Sequence, residues 1–218
     1  MSKNVIELFE DKINLAGHTF ILERVKNLDD LVDQVSDELF AEDERLPYWA
    51  ELWPSAQALA EYLLLNKDKV QNKDILELGC GLGLTSIALS LSNPRSLVVT
   101  DYENDALLST YKNFELNNLK PPEMQILDWR TPDPGKKYDI IVASDVVYER
   151  RFFEPLINLF KTYLRKDGQI ILAEPNRNIA RSFFGKLLLS GFYYSVVDKY
   201  VTQLNKNVKI SIYSIKFK

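Results

Sequence analysis

Ile75-Leu76-Glu77-Leu78-Gly79-Cys80-Gly81-Leu82-Gly83 is the stretch on which the fold turns. A short apolar run is followed at once by three alternating glycines, three of the eight in the chain, and then by the apolar segment 84–91. This order predicts a strand over 75–78, a turn over 79–83 and a buried helix over 84–91. Glycines at such a junction let the backbone turn tightly and let a ligand approach main-chain N–H groups where the helix begins. A plain strand-to-helix turn has no need of three. Spacing then narrows the ligand. The dinucleotide fingerprint requires glycine three positions after Gly81, where Leu84 stands. A phosphate-cradling P-loop requires Gly-Lys-Ser/Thr, and none follows.

Outward from this loop the pattern stays regular. Strands are expected at 97–100, 123–127, 138–143 and 169–173, with helices at 104–117, 153–164 and 179–189 and a Pro/Gly-containing loop over 131–137. Strands alternating with helices imply a doubly wound α/β fold, with a mostly parallel sheet covered on both faces. The last two β-rich stretches, 192–201 and 208–217, have no helix between them and form an antiparallel C-terminal hairpin. They bring the sheet to seven strands. Upstream, Pro54 can start a helix continued by Ala56, Leu59, Ala60 and Leu63. Residues 4–25 read as a small β-hairpin turning at Ala16-Gly17-His18, and 28–45 as a short amphipathic helix followed by a polar loop. Too short for a core of its own, the segment 1–45 is expected to be an extension of a domain spanning 46–218.

Ligands in open α/β sheets sit beyond the carboxyl ends of the strands. The acid-x-Gly-x-Gly-x-Gly pattern ending at Gly83 resembles the first motif of class I, seven-β-strand methyltransferases that bind S-adenosyl-L-methionine. The resemblance implies a Rossmann-like sheet, with Glu77 near the amino-acid part of the cofactor and the Gly79, Cys80, Gly81, Gly83 loop passing close beneath it. Asp101, 18 positions after Gly83 at the end of the next strand, can accept both ribose hydroxyls; a helix N-cap is its structural alternative. Asp128-Trp129 ends the third strand, where the family has a polar residue on the adenine edge and an aromatic over the base. Trp129 as a core residue is the alternative.

Strand four ends in Ser144-Asp145-Val146-Val147-Tyr148. Amino methyltransferases of nucleic-acid bases carry Asn/Asp-Pro-Pro-aromatic here, and both prolines are absent. Asp-Val-Val-Tyr instead resembles the acid-x-x-aromatic motif of the family-16 methyltransferases, many of which modify protein lysines. Pro47-Tyr48-Trp49-Ala50-Glu51-Leu52-Trp53-Pro54-Ser55 is similar to that family's aromatic segment before the core, with Trp53 at the cofactor-contacting position. Ala173-Glu174-Pro175-Asn176-Arg177 resembles its fifth-strand end. The nearest group is the enzymes acting on the electron-transfer flavoprotein β-subunit. The resemblance thus implies cofactor contacts from Trp53, the glycine loop, Asp101, Asp128, Trp129 and Ser144. It implies an acceptor site at Asp145 and Tyr148, no metal, and a protein lysine as methyl acceptor. A small amine or metabolite as acceptor is the alternative.

Composition bounds the rest. One cysteine and one histidine in 218 residues exclude an intrachain disulfide and a Cys- or His-rich metal site. No apolar run approaches the ~20 residues of a membrane span. The N-terminus lacks the long apolar core of a secretory signal, and a cytoplasmic setting is expected. The net charge of −4 speaks against a nucleic-acid coat or a membrane patch. That charge is unevenly spread: residues 1–51 carry 13 acids and 5 bases, whereas after Glu174 Asp198 is the one acid among eight bases. The acidic stretch 29–44 is either a solvated face or a docking surface for a basic protein target.

Overall fold

The structure, a computed structural model, describes residues 6–33, 46–203 and 206–218. Strands β1 (Leu8–Leu15) and β2 (His18–Val25) pair antiparallel, Leu15 opposite His18. Their two-residue turn places Ala16 at φ 49° and Gly17 at φ 79°, the left-handed pair that matches the twist of a hairpin. Helix α1 (Asp29–Val32) follows; the remainder of the helix and loop expected over 28–45 lies, from residue 34 on, outside the described residues. A 3-10 turn over Tyr48–Ala50 leads into α2 (Pro54–Leu65), with proline at its first position.

The regular part of the chain then runs β3 (Asp74–Leu78), α3 (Leu84–Ser90), β4 (Ser96–Asp101), α4 (Asn104–Leu116), β5 (Glu123–Ile126) and β6 (Tyr138–Ser144). It continues through α5 (Phe153–Tyr163), β7 (Leu164–Glu174), α6 (Ala180–Leu189), β8 (Phe192–Gln203) and β9 (Lys206–Phe217). The seven strands from β3 onward form one sheet in the order β5-β4-β3-β6-β7-β9-β8. Pairing is parallel from β5 to β7, then antiparallel from β7 to β9 and from β9 to β8. Strand order reverses between β3 and β6, the point where the carboxyl ends of an open sheet diverge into a crevice.

The largest difference from the expected boundaries lies in β7. β7 begins at Leu164 rather than 169, and the pairing of β6 with β7 shifts register between Tyr138 and Ile140. The polar run Arg165-Lys166-Asp167-Gly168, between the expected helix and strand, is extended. Arg165 is held by Asp139 at 2.6 Å and by Asp74 at 3.0 Å. A Cβ on Gly168 would lie 2.8 Å from the Asp139 carbonyl oxygen, so glycine is what lets the irregular strand pass.

Strand alternation sends side chains to both faces. Leu76 and Leu78 pack with Phe153, Leu156, Phe160 and Phe183 of α5 and α6. Ile75, Val99 and Val142 pack with Leu59, Tyr62 and Leu63 of α2. The hairpin adds no core of its own. Its Phe20 and Leu22 are buried among Leu52, Leu64, Leu84 and Phe114, each such burial stabilising by roughly 1.5–3 kcal/mol. Asn117 accepts the Ile21 N–H at 2.9 Å and donates to the Ile21 carbonyl at 2.7 Å, while Asn113 accepts the Glu23 N–H at 2.7 Å. Asn113 of α4 and Asn117, which caps that helix, thus satisfy the strand's outer edge. Among the described residues no helix is long and apolar enough to cross a membrane.

Candidate functional site

The crevice at the strand ends is a cavity of about 460 Å³, within the range of small-ligand sites. Its floor is the glycine loop after β3. Gly79, Gly81 and Gly83 all have positive φ. At Gly83 (φ 82°) an added Cβ would meet Thr110 at 2.7 Å, so the loop lies flush on α4. At Gly81 it would lie 3.1 Å from the backbone oxygen of Trp49, so the 48–50 turn crosses directly over the loop. Asn113 donates to the Leu82 carbonyl at 2.9 Å and Thr110 to the Gly81 carbonyl at 3.0 Å. Since Asn113 also receives the Glu23 N–H, one side chain ties the hairpin to the loop.

Eleven of the twelve residues anticipated from the sequence line this cavity: Trp53, Gly79, Cys80, Gly81, Gly83, Asp101, Asp128, Trp129, Ser144, Asp145 and Tyr148. Glu77 does not. It lies beneath the loop, 2% exposed, and accepts a 2.5 Å hydrogen bond from the Ser86 hydroxyl. Burial, reinforced by the Asp101 charge and opposed by Ser86, pushes its carboxyl up to about 8. Asp101 accepts the Gly81 N–H at 3.0 Å and the Glu103 N–H at 3.1 Å. Its carboxyl is also raised by burial, against the pull of these backbone donors. Burial likewise pushes the Cys80 thiol up, which keeps it in the unreactive form.

The far wall is aromatic. Trp53 donates its indole N–H to the Tyr48 carbonyl at 2.9 Å and meets the Tyr48 ring edge-on at 6.4 Å. Tyr48 meets Tyr148 at 5.9 Å, Tyr148 meets Phe152 at 6.4 Å, and Phe152 meets Trp129 at 5.5 Å. Five rings form a continuous arc around the opening. Burial raises the Tyr148 hydroxyl, so it stays neutral. The Trp129 indole nitrogen is buried without a hydrogen-bond partner. Asp128 is spanned by Arg130, whose Nε lies 2.9 and 3.0 Å from its two oxygens and whose other end reaches the Tyr102 hydroxyl at 2.7 Å.

Asp145 is held in the left-handed region at φ 61°, and its N–H donates to the Ala173 carbonyl at 2.9 Å. Its Oδ1 is paired with Arg177, and its Oδ2 is buried without a partner. Arg177, Tyr48, Trp49 and Phe152 are lining residues to which sequence reasoning gave no role. The aromatic density of 46–54 was a signal for the tryptophans and Tyr48. Arg177 stood in the sequence only as the end of the Ala173–Arg177 motif, with no role, because its partner is 32 residues away.

A family model described as lysine methyltransferase matches residues 36–190. Among curated proteins, the chain is similar to the electron transfer flavoprotein beta subunit lysine methyltransferase of Danio rerio. Identity is 35% over 143 residues, covering 62% of this chain and 55% of the relative. The chain thus spans about half the length of the curated relatives it matches. Among solved structures, a putative SAM-dependent methyltransferase from Streptococcus mutans aligns with a TM-score of 0.64 at 15% identity, over 95% of this chain and 55% of that one. A ribosomal protein L11 methylase from Lactobacillus delbrueckii aligns with a TM-score of 0.59 at 21% identity, over 73% and 77%. These structural likenesses carry the fold.

Proposed function

The chain belongs to the lysine methyltransferase family, and on that premise we propose that it transfers the methyl group of S-adenosyl-L-methionine to a lysine ε-amine of a protein. The observation that carries the proposal is the meeting of Asp145 and an arc of five aromatic rings at the rim of a cavity floored by the glycine loop. The donor set fits the cofactor. The loop lines the cavity with three glycines, which carry no side chains, Asp101 stands at the end of β4, and the unpartnered Trp129 indole N–H awaits an acceptor. In this reading Trp53, the 79–83 loop, Asp101, Asp128, Trp129 and Ser144 hold the cofactor. Glu77 supports the loop from below through Ser86.

When bound, the cofactor supplies an electrophilic methyl group on a sulfonium. The chain's own task is to position the acceptor and favour loss of its proton to solvent, so that the N–C bond would form as the C–S bond of the sulfonium breaks and the demethylated thioether leaves. A free lysine amine has a pKa of ~10.4 and is cationic at neutral pH. Aromatic walls desolvate it and favour the neutral nucleophile. Asp145 accepts a hydrogen bond from the amine and aims its lone pair, since in-line displacement depends chiefly on alignment. Tyr148 forms one wall, and the ring faces attract the methylated ammonium product by cation–π interaction.

The curated relatives are named for the electron transfer flavoprotein beta subunit, and we take that subunit as the first substrate to test. The acidic 29–44 stretch suits a basic protein target, and a single buried cysteine suits a reducing, cytoplasmic compartment. Residues 46–218 act as the transferase domain and 1–45 as its extension. Transfer of labelled methyl from S-adenosylmethionine to the flavoprotein subunit and to a lysate, with mass spectrometry of labelled bands, is the test. Label on lysine supports the proposal. Label confined to small molecules would assign the chain to amine or metabolite methylation instead.

A further inference from the structure

Asp145 ends β6, and Arg177 follows β7, its neighbour in the sheet. Three observations bear on the pair. First, the Asp145 carboxylate is 6% exposed, with Oδ1 bound to Arg177 Nη1 and Oδ2 accepting nothing. A buried carboxylate oxygen without a donor is costly and marks a place where a donor is missing. Second, the loop presenting Arg177 is tied down. The Arg177 N–H donates to both Glu174 oxygens at 3.2 and 3.1 Å. Asn176, itself at φ 64°, donates to the Lys209 carbonyl at 3.2 Å and accepts from the Ser211 hydroxyl at 2.9 Å. Third, the guanidinium belongs to Asp145 more than to Glu174, whose nearer oxygen is 3.5 Å from the same Nη1.

We propose that Arg177 is a positioning residue for methyl transfer: it fixes Asp145 through Oδ1 so that Oδ2 is left as the single oriented acceptor for the incoming amine. The inference rests on the transferase reading above. Three features converge on it. The left-handed backbone and the N–H bond to Ala173 fix the Asp145 main chain. Arg177 Nη1, carried on a tied-down loop, holds Oδ1 through a single charge-assisted hydrogen bond. And the one oxygen not committed is the one without a partner. Glu174 serves as the counter-anchor: both its oxygens take the Arg177 N–H, and one lies 3.5 Å from Nη1, which holds the guanidinium in reach of Asp145.

The test compares wild type, Arg177→Ala, Arg177→Lys, Asp145→Asn and the Asp145→Asn/Arg177→Ala double variant. Each is measured for S-adenosylmethionine binding by calorimetry and for methyl transfer to whichever protein wild type labels. Misplacement of a reacting group by about 1 Å costs roughly 100-fold, and Arg177→Ala is expected to lower kcat by about that factor. KM for the acceptor and Kd for the cofactor should stay within about threefold, a difference of ~0.65 kcal/mol. Arg177→Lys recovers part of kcat, which keeps the test decisive if the alanine variant fails to fold. Adding Arg177→Ala to Asp145→Asn should cause no further loss of kcat, because one residue acts through the other. Additive losses, or equal kcat in wild type and Arg177→Lys and Arg177→Ala, overturn the positioning role alone. A wild type that binds the cofactor yet labels no protein overturns the transferase reading, and this inference with it.

Discussion

Replacing Glu77 with Gln should flatten the dependence of stability on pH between about 4.5 and 8. The side chain is 2% exposed, and burial raises its carboxyl from 4.5 to about 8. In that window the folded protein holds a proton that the unfolded chain has released. Stability therefore falls as pH rises, at up to ~1.4 kcal/mol per pH unit. Across the whole interval the loss approaches ~4–5 kcal/mol, roughly a third or more of a domain's total stability. Gln mimics the protonated acid, can still accept the Ser86 hydroxyl, and does not titrate. The variant should match the parent near pH 5 and exceed it near pH 8. Asp101, whose carboxyl burial also raises, leaves a residual slope in both proteins. Urea unfolding of the cofactor-free chain at pH 5, 6, 7 and 8, with a check that the denaturant slope is unchanged, gives the two curves. Parallel curves would falsify the assignment of a neutral Glu77, as would a Gln variant that is less stable than the parent at pH 8.

Three further outcomes are expected. Gly83→Ala puts a Cβ 2.7 Å from Thr110 at φ 82° and should cost roughly 2–4 kcal/mol in urea unfolding, from the left-handed backbone and the clash together; a loss below 0.5 kcal/mol would mean that the loop relaxes freely. Asn113→Ala strands both the Glu23 N–H and the Leu82 carbonyl. It should cost about 1–3 kcal/mol and raise hydrogen exchange in β2 and the glycine loop together, whereas faster exchange in β2 alone would deny the link. Reversing Asp29, Asp30 and Asp33 to lysine should raise KM for a basic protein substrate at constant kcat, and unchanged kinetics would make that stretch merely solvated.

Much of the site was legible because its requirements are local. A positive φ at Gly79, Gly81 and Gly83 is a demand on single residues, and only glycine meets it without strain. Asp101, Asp128, Ser144 and Asp145 follow apolar runs, and the carboxyl end of a parallel strand is where a ligand sits. Period and punctuation located these ends to within a residue or two. Glu77 shows where the same logic stops. Alternation along β3 puts it on the face of Ile75, and the Ser86 hydroxyl of α3 then holds it under the loop rather than in the cavity. Likewise Asp128 looks available in the sequence, but Arg130 already spans it.

By itself, then, the amino-acid sequence determined the alternation of strands and helices, the parallel sheet with its antiparallel end, the glycine loop and the strand-end acids. Each depends on φ, on side-chain period or on neighbours within a turn. Tertiary structure alone decided which groups meet across the sheet. It sets Arg177 against Asp145 over 32 residues and joins hairpin to loop through Asn113, 90 residues from Glu23. It closes the aromatic arc from Trp53 to Trp129. Such contacts arise from strand order and packing distance, which no local propensity encodes.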